Sequence, residues 1–302
     1  MTRSTPFPSK PVRYVVPFRA GGPPDAIARL ISAELSELWG QAVTVDNRPG
    51  ANGNIGSEFV ASAPADGCTL LQGTTATHGS NAILFPMMAF DPHHDLAPVV
   101  PLIEGPLYLA ASERQPFSTV EELLLHARAH PGELRFGTAG LGSIQHIAGE
   151  LLKVRSGIDI VPVHLESAAH ALTAIVQGDV DLYFGSEFRA RPEASRVKLL
   201  GVSTRWRWPL ATHIPTLVER GIADFEIHGW FGVFAPAATP ADIVARINSS
   251  VNEVLVRERV AEGIRAFGYR GLGGSSPDFA IRLEREVRYW SDLVKRNKFS
   301  LV

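Results

Sequence analysis

The chain has 302 residues, of which 45% are hydrophobic and 20% are charged, as is ordinary for a globular protein. This length fits one large domain or two ordinary ones. The 29 basic and 31 acidic side chains give a formal charge of -2, so no basic excess is available to a nucleic-acid backbone. The single cysteine, Cys68, excludes an intrachain disulfide and a zinc site built from several thiolates.

Hydropathy along the chain gives no sign of a membrane span, since no apolar run reaches the roughly 18 residues that one requires. Residues 1–11 lack the apolar core of a secretion signal. We therefore expect either a cytosolic protein or one whose signal has been removed.

The predicted elements alternate between strands and helices from the start of the chain. Strands are predicted at residues 12–18, 42–45 and 69–72. A helix with apolar residues at helical spacing follows the loop 19–25 and ends at Gly40, and a second covers 57–63. Residues 73–81 are predicted to form a polar loop.

The same alternation continues through the middle of the chain. Strands are predicted at residues 107–111, 134–136, 158–164, 180–184 and 197–203, and helices at 120–129, 144–154 and 168–177. Ser118 is the expected cap of the first of these helices, because a serine side chain can accept a free N–H of the first turn.

The end of the chain is predicted to be mostly helical, with helices from Pro240, over 257–267 and over 277–298. Alternating strands and helices predict an α/β fold with mainly parallel sheets, and the length suits two sheets of about five strands. We predict two lobes, one formed by residues 1–103 with 231–302 and the other by 104–230. The chain would then cross between the lobes near 101–105 and 229–232.

Catalytic motifs are missing from the sequence. It contains no nucleophile elbow, no phosphate-binding loop with lysine and no His-Glu-x-x-His pair. The ten histidines are scattered, and the adjacent His93 and His94 would point to different sides, so no metal site is predicted. One alternative stays open: residues 140–143 open a helix after a strand, as in dinucleotide-binding turns, although Gln145 replaces the third glycine.

Three loops point instead to the binding of a small anion. Residues 19–25, 73–81 and 137–143 each follow a predicted strand, and two of them lead into a helix whose N-terminal N–H groups can bind an anion such as a carboxylate. Asp25 fits an N-cap or first-turn carboxylate better than a ligand contact. Trp230 is expected either to pack between the lobes or to line the pocket.

Several sequence blocks resemble one known family. They are residues 17–29 (PFRAGGPPDAIAR), 40–56, 65–71, 137–150, 215–221 and 230–236 (WFGVFAP), followed by Thr239-Pro240. On these blocks the chain resembles the extracytoplasmic receptors of tripartite tricarboxylate transporters, the Bug or TctC-type proteins, from about residue 10 to 294.

The resemblance implies a two-lobed, type II periplasmic-binding-protein-like α/β fold with mainly parallel sheets and a ligand cleft between the lobes. It implies a periplasmic receptor, expected to be a monomer, that captures a small organic acid for membrane transporter subunits. No turnover, cofactor, metal or nucleic-acid partner is implied. Because residues 1–11 carry no secretion signal, a soluble carboxylate sensor of the same fold stays an alternative, beside the nucleotide-dependent enzyme.

The resemblance also implies which residues bind the acid. One carboxylate would be held by the first loop, and further contacts would follow later in the chain: Phe18, Ala20, Gly21, Gly22, Asp25, Thr74, Thr75, Thr77, Thr138, Gly142, Ser143, His146 and Ser186. Arg19, Glu166 and the segment 185–189 depart from the family pattern. We expect Arg189 to face the cleft and bind a second carboxylate, because its planar guanidinium suits two-point contact. The alternative is a surface pair with Glu187 or Glu193.

Overall fold

The computed structural model describes residues 7–85, 88–189 and 195–297, without the side chains of Arg189 and Asn297. The chain folds into two compact α/β units. Of the described residues, the first unit contains those up to Ile103, Trp230–Ile264 and Gly271–Asp292; the second contains those within Glu104–Gly229, Arg265–Arg270 and those from Leu293. Residues 265–270, which the sequence analysis grouped with the first lobe, thus pack with the second unit.

The first unit is built on a six-stranded mixed sheet. In spatial order the strands are β11 (Arg270–Gly271), β4 (Leu96–Pro106), β10 (His228–Pro236), β3 (Thr69–Thr74), β1 (Val12–Val16) and β2 (Val43–Asn47). Strand β1 is parallel to both β2 and β3, whereas β10 is antiparallel to β3. The helices that begin in this unit are α1 (Pro23–Trp39), α2 (Asn54–Ala61), α3 (Asn81–Leu84), α7 (Ala241–Leu255), α8 (Glu258–Ala266) and α9 (Ser276–Asn297).

The second unit is built on a five-stranded mixed sheet. Its strands, in spatial order, are β7 (Val161–His164), β6 (Arg135–Thr138), β8 (Leu182–Gly185), β5 (Tyr108–Ser112) and β9 (Val197–Val202). Strand β6 is parallel to β7 and β8, and β5 is antiparallel to β8 and β9. The helices are α4 (Val120–Ala129), α5 (Ile144–Ser156) and α6 (Ala168–Gln177). The α/β class predicted from the sequence is confirmed.

Two long strands were not predicted from the sequence. Strands β4 and β10 run through the segments that the sequence analysis described as crossings, and the chain passes between the units inside them. Pro101 and Gly105 interrupt the strand pattern of β4 in the sequence, because proline cannot donate to a sheet ladder and glycine weakens a strand. Proline is tolerated here because one side of β4 is flanked only by the two-residue β11.

Two local predictions about helices are wrong. Thr119, not Ser118, caps α4: its side chain accepts the Glu122 N–H while the Glu122 carboxylate accepts the Thr119 N–H. Part of the polar loop predicted over 73–81 is helical, with a π-helical turn at Ala76–Ser80 that continues into α3. Within the described residues, every helix is too short or too polar to cross a membrane.

Candidate functional site

The loops after the three parallel strands of the first unit lie at one edge of its sheet, since parallel strands end at the same edge. They are residues 17–22 after β1, 48–53 after β2 and 75–80 after β3. A Cβ atom built on Gly53 would lie 2.6 Å from Thr77 Cγ2 and 3.2 Å from Phe18 Cζ. Two predicted site residues, Phe18 and Thr77, therefore meet at Gly53.

Asparagine side chains join the second and third of these loops. Asn52 Nδ2 donates to Asn81 Oδ1 over 2.8 Å, and Asn81 Nδ2 donates to Asn54 Oδ1 over 2.6 Å. Asn52 has a left-handed φ of 53°, a conformation that asparagine tolerates better than most residues. This network was not predicted from the sequence, where its signal is the Asn-Gly-Asn run in one of the family-like blocks.

Asp25 is the first-turn carboxylate of α1, and Gly22 holds the N-cap position. The Asp25 carboxylate accepts the Gly21 N–H over 3.0 Å and pairs with the Arg29 guanidinium over 2.9 Å. Burial raises the pKa of Asp25, but the hydrogen bonds of Arg29, Gly21 and Asn47 and the charge of Arg29 outweigh burial and lower that pKa. Asp25 therefore holds the loop in shape.

The first loop offers fewer backbone donors than an ordinary helix N-terminus. Pro23 and Pro24 occupy the first two positions of α1 and carry no N–H. The Gly21 N–H is taken by the Asp25 carboxylate. Ala20 and Gly21 are exposed, and Phe18 is half-buried.

Thr74, at the end of β3, and Thr75 and Thr77, in the third loop, are buried, and their hydroxyls are used within the turn to different extents. Thr77 Oγ1 accepts the Thr74 N–H over 2.8 Å and lies 3.2 Å from the Thr74 carbonyl and 2.9 Å from His78 Nδ1, so its own proton has partners inside the turn. Thr75 Oγ1 accepts the Trp230 N–H over 2.9 Å. A hydroxyl that accepts one bond still carries its proton, so Thr75 can donate to a ligand.

Trp230 is a core residue of the first unit. Its side chain is 1% exposed, and its ring centroid lies 5.7 Å from that of Phe279 in an edge-on contact. His78 stacks on Phe234, with 3.7 Å between ring centroids. The backbone N–H of Trp230 thus connects the core of this unit to Thr75.

In the second unit, hydrogen bonds connect the ends of β6 and β7. Thr138 Oγ1 lies 2.8 Å from His164 Nδ1 and accepts the Gly140 N–H over 3.2 Å. The Leu165 N–H donates to the Thr138 carbonyl over 3.0 Å. The structure therefore places Thr138 where it shapes the glycine-rich loop before α5.

His146 is held as a neutral donor at the start of α5. Its Nδ1 accepts the Gly142 N–H over 3.1 Å, so the ring proton sits on Nε2. Burial, and then the charges of His164 and Lys153, lower the pKa of His146 to about 4. Ser143 is the N-cap, and its Oγ accepts the His146 N–H over 3.3 Å. Gly142, Ser143 and His146, all predicted site residues, are thus brought together.

Acid should destabilise the protein through His146. Its pKa is about 4 in the folded chain and 6.5 in the unfolded chain, so its contribution to stability is complete above pH 6.5 and is lost as the pH falls toward 4. We expect the free energy of unfolding to fall by about 2 kcal/mol between about pH 7 and pH 4.5 on account of this residue.

Urea denaturation at both pH values measures the effect of His146. His146→Asn is the comparison, because its amide oxygen can accept the Gly142 N–H and does not titrate. The decrease in stability should be smaller in His146→Asn by about the same 2 kcal/mol. Equal decreases in the two proteins would contradict the assignment.

Ser186 follows β8, the parallel neighbour of β6, and is anchored on several sides. Its N–H donates to Glu187 Oε2 over 2.9 Å, and its Oγ lies 2.5 Å from the Tyr269 hydroxyl. Glu187 Oε1 accepts the Tyr183 hydroxyl proton over 2.7 Å. These bonds connect the Ser186 turn to Tyr183 in β8 and to Tyr269.

The residues that depart from the family pattern are Arg19, Glu166 and the segment 185–189, and the structure describes some of their side chains but not all. Arg189 closes a single 3₁₀ turn, Glu187–Arg189, but its side chain lies outside the described residues, so the contact predicted for it stays a prediction. Glu193 also lies outside them. Arg19 and Glu166 are exposed.

Other features of the described residues do not mark a second site. Within them, no three His, Cys, Asp or Glu side chains are grouped in a way that could hold a metal ion. A cavity of about 480 Å³ in the first unit is lined by residues between Ala82 and Asp95 and includes none of the predicted site residues.

The family comparison covers most of the chain. Residues 27–298 match the model of the family described as "Tripartite tricarboxylate transporter family receptor" (TctC). The residues of both loop clusters described above, apart from those before residue 27, fall within the matched range.

Three solved structures are similar over nearly their whole length. Rpa4515 from R. palustris, solved with adipate, is 36% identical with a TM-score of 0.92, over 97% of this chain and 98% of that one. MatC from Rhodopseudomonas palustris, solved with bound malate, is 33% identical with a TM-score of 0.88, over 95% and 100%. The periplasmic binding protein BugD is 26% identical with a TM-score of 0.89, over 97% and 99%. These similarities confirm the periplasmic-binding-protein fold.

Proposed function

Since the chain belongs to the receptor family of the tripartite tricarboxylate transporters, we propose that it is a periplasmic receptor that captures a small organic acid. The family match over residues 27–298 is the observation that carries the proposal. The adipate and malate bound to two similar proteins support a carboxylate ligand. The similarity to BugD, a periplasmic binding protein, supports a periplasmic location. The receptor would deliver the acid, unchanged, to membrane subunits of its transporter.

Each unit contributes a group of binding residues to this proposal. The first unit would use backbone and hydroxyl groups near Gly53, and the second would use the loop before α5 and the turn after β8. The proposed binding residues are Phe18, Ala20, Gly21, Gly22, Asp25, Thr74, Thr75, Thr77, Thr138, Gly142, Ser143, His146, Ser186 and Arg189. Those among them with fully engaged side chains, such as Thr77, would act by shaping the loops.

The donors in these groups suit binding without turnover. His146 is neutral at pH 7 because its pKa is about 4. Its imidazole therefore donates a hydrogen bond through its N–H but does not act as a general acid. Thr75 and Ser186 offer hydroxyl protons from buried, anchored positions. Neutral donors of this kind stabilise a carboxylate by hydrogen bonding and leave its bonds intact.

A thermal-stability screen tests the proposed function. A matching acid at 100 times its dissociation constant should raise the free energy of unfolding by about 2.7 kcal/mol, because it binds only the folded chain. The panel should include malate, adipate, monocarboxylates and aromatic acids, with NAD and NADP as controls for the nucleotide-dependent alternative. A response to a nucleotide but to no acid would overturn the proposal.

A further inference from the structure

Residues 265–270 form a segment that is fixed onto the second unit. Trp208 Nε1 donates to the Gly268 carbonyl over 2.8 Å, and the Arg270 guanidinium pairs with the Glu104 carboxylate. A Cβ atom built on Gly105 would lie 2.4 Å from Tyr269 Cδ1, so the tyrosine ring packs directly on the glycine backbone. These contacts hold the Tyr269 ring in one place.

The Tyr269 hydroxyl is aimed at Ser186. The two oxygens lie 2.5 Å apart, and the residues are 3% and 9% exposed. Burial raises the pKa of Tyr269 more than the hydrogen bond of Ser186 lowers it, and the charges of Glu187 and Tyr108 raise it further. The phenol therefore keeps its proton at neutral pH and can donate it in a hydrogen bond.

Ser186 has little freedom except in its hydroxyl proton. Its backbone N–H is taken by Glu187, whose other carboxylate oxygen accepts the Tyr183 hydroxyl. A Cβ atom on the preceding Gly185 would lie 2.4 Å from Tyr183 Cε1, so the backbone here cannot shift easily. The direction of the Ser186 proton is thus decided by what else the oxygen binds.

We propose that Tyr269 is a positioning residue for ligand binding: its hydroxyl donates to Ser186 Oγ and so directs the Ser186 proton to a carboxylate oxygen of the bound acid. The inference rests on the proposed function, because it takes Ser186 to be a ligand contact. A serine hydroxyl carries one proton and can accept others. In a chain from Tyr269 through Ser186 to a carboxylate, each hydrogen bond polarises and strengthens the next.

A double-mutant cycle separates positioning from simple packing. Tyr269→Phe keeps the ring on Gly105 and removes only the hydroxyl, and Ser186→Ala removes the group on which Tyr269 acts. Calorimetry with adipate, and malate in parallel, gives the affinities. We expect Tyr269→Phe to weaken binding about fivefold, as the loss of one hydrogen bond would. In the Ser186→Ala background the same change should have almost no effect.

Tyr14→Phe is the matched control. Tyr14 lies in the first unit, where its buried hydroxyl donates to Gln72 Oε1 over 3.1 Å, so the variant loses a comparable bond. It should lower the melting temperature and leave the affinity within twofold. Equal losses of affinity from Tyr269→Phe with and without Ser186 would overturn the inference, as would an affinity loss no larger than that of Tyr14→Phe.

A crystal structure of the unaltered protein with adipate gives a second readout that does not depend on how the variants fold. Ser186 Oγ should lie within hydrogen-bond distance of both Tyr269 OH and a ligand oxygen. A ligand bound without touching Ser186 would overturn this inference and leave the proposed function standing. Failure of every acid to bind the unaltered protein would overturn the proposed function, and the inference with it.

Discussion

Gly53→Ala should cost about 4 kcal/mol of folding free energy and disrupt the loops of the first unit. Gly53 has a φ of +94°, a left-handed conformation that destabilises an L-residue by roughly 1–2 kcal/mol. The new methyl would lie 2.6 Å from Thr77 Cγ2, and forcing extra volume into a packed site typically adds about 1–3 kcal/mol. Thr77 cannot rotate away without losing its bond to the Thr74 N–H.

The matched control for Gly53→Ala is Gly221→Ala. Gly221 has a φ of +85°, but a Cβ atom there would meet nothing within 4 Å. This variant therefore loses folding free energy only through the strained backbone conformation. Chemical denaturation should show a loss about 2 kcal/mol larger for Gly53→Ala. Equal losses in the two variants would contradict the close approach of the loops at Gly53.

Arg189→Ala should weaken the binding of a dicarboxylate by about 2–5 kcal/mol if the guanidinium binds the second carboxylate, since truncation leaves a buried charge unpaired. A surface arginine would change the affinity by well under 1 kcal/mol, because exposed ion pairs contribute little. The Glu187 carboxylate already accepts the Tyr183 hydroxyl proton and the Ser186 N–H.

Arg207→Ala is the control for Arg189→Ala. Arg207 lies in the same unit, is about half exposed and makes two hydrogen bonds from Nε to Glu219. Its loss should leave the affinity for adipate unchanged. Calorimetry on both variants decides: an affinity of Arg189→Ala within threefold of the unaltered protein would remove Arg189 from the site.

The sequence predicted correctly those helices whose spacing, caps and terminal glycines are adjacent along the chain. Helix α6 has the predicted bounds, since its apolar spacing runs without interruption from its Ser167 cap to Gly178, where φ is +77°. Helix α1 ends at Trp39, and the following Gly40 adopts the left-handed conformation that glycine favours. Strands β4 and β10 escaped prediction because their prolines and glycines are accommodated by neighbours that are distant in sequence.

The candidate site was predictable only in part, for the same reason. The positions of Thr138, Ser143 and His146 follow from one loop before one helix, and the structure groups them. Tyr269 lies 83 residues from Ser186, and no pattern along the chain marks such a pair. The protonation of His146 likewise depends on burial and on the Gly142 N–H, which only the folded chain provides.

The central claim is that the protein binds a small carboxylate and does not transform it. The most direct test is calorimetric titration of the purified protein with the best acid from the screen, followed by mass spectrometry of the acid after incubation. We predict saturable binding of one acid per chain and quantitative recovery of the same molecule. No heat of binding with any acid of the panel, or conversion of the acid to a product, would contradict the account.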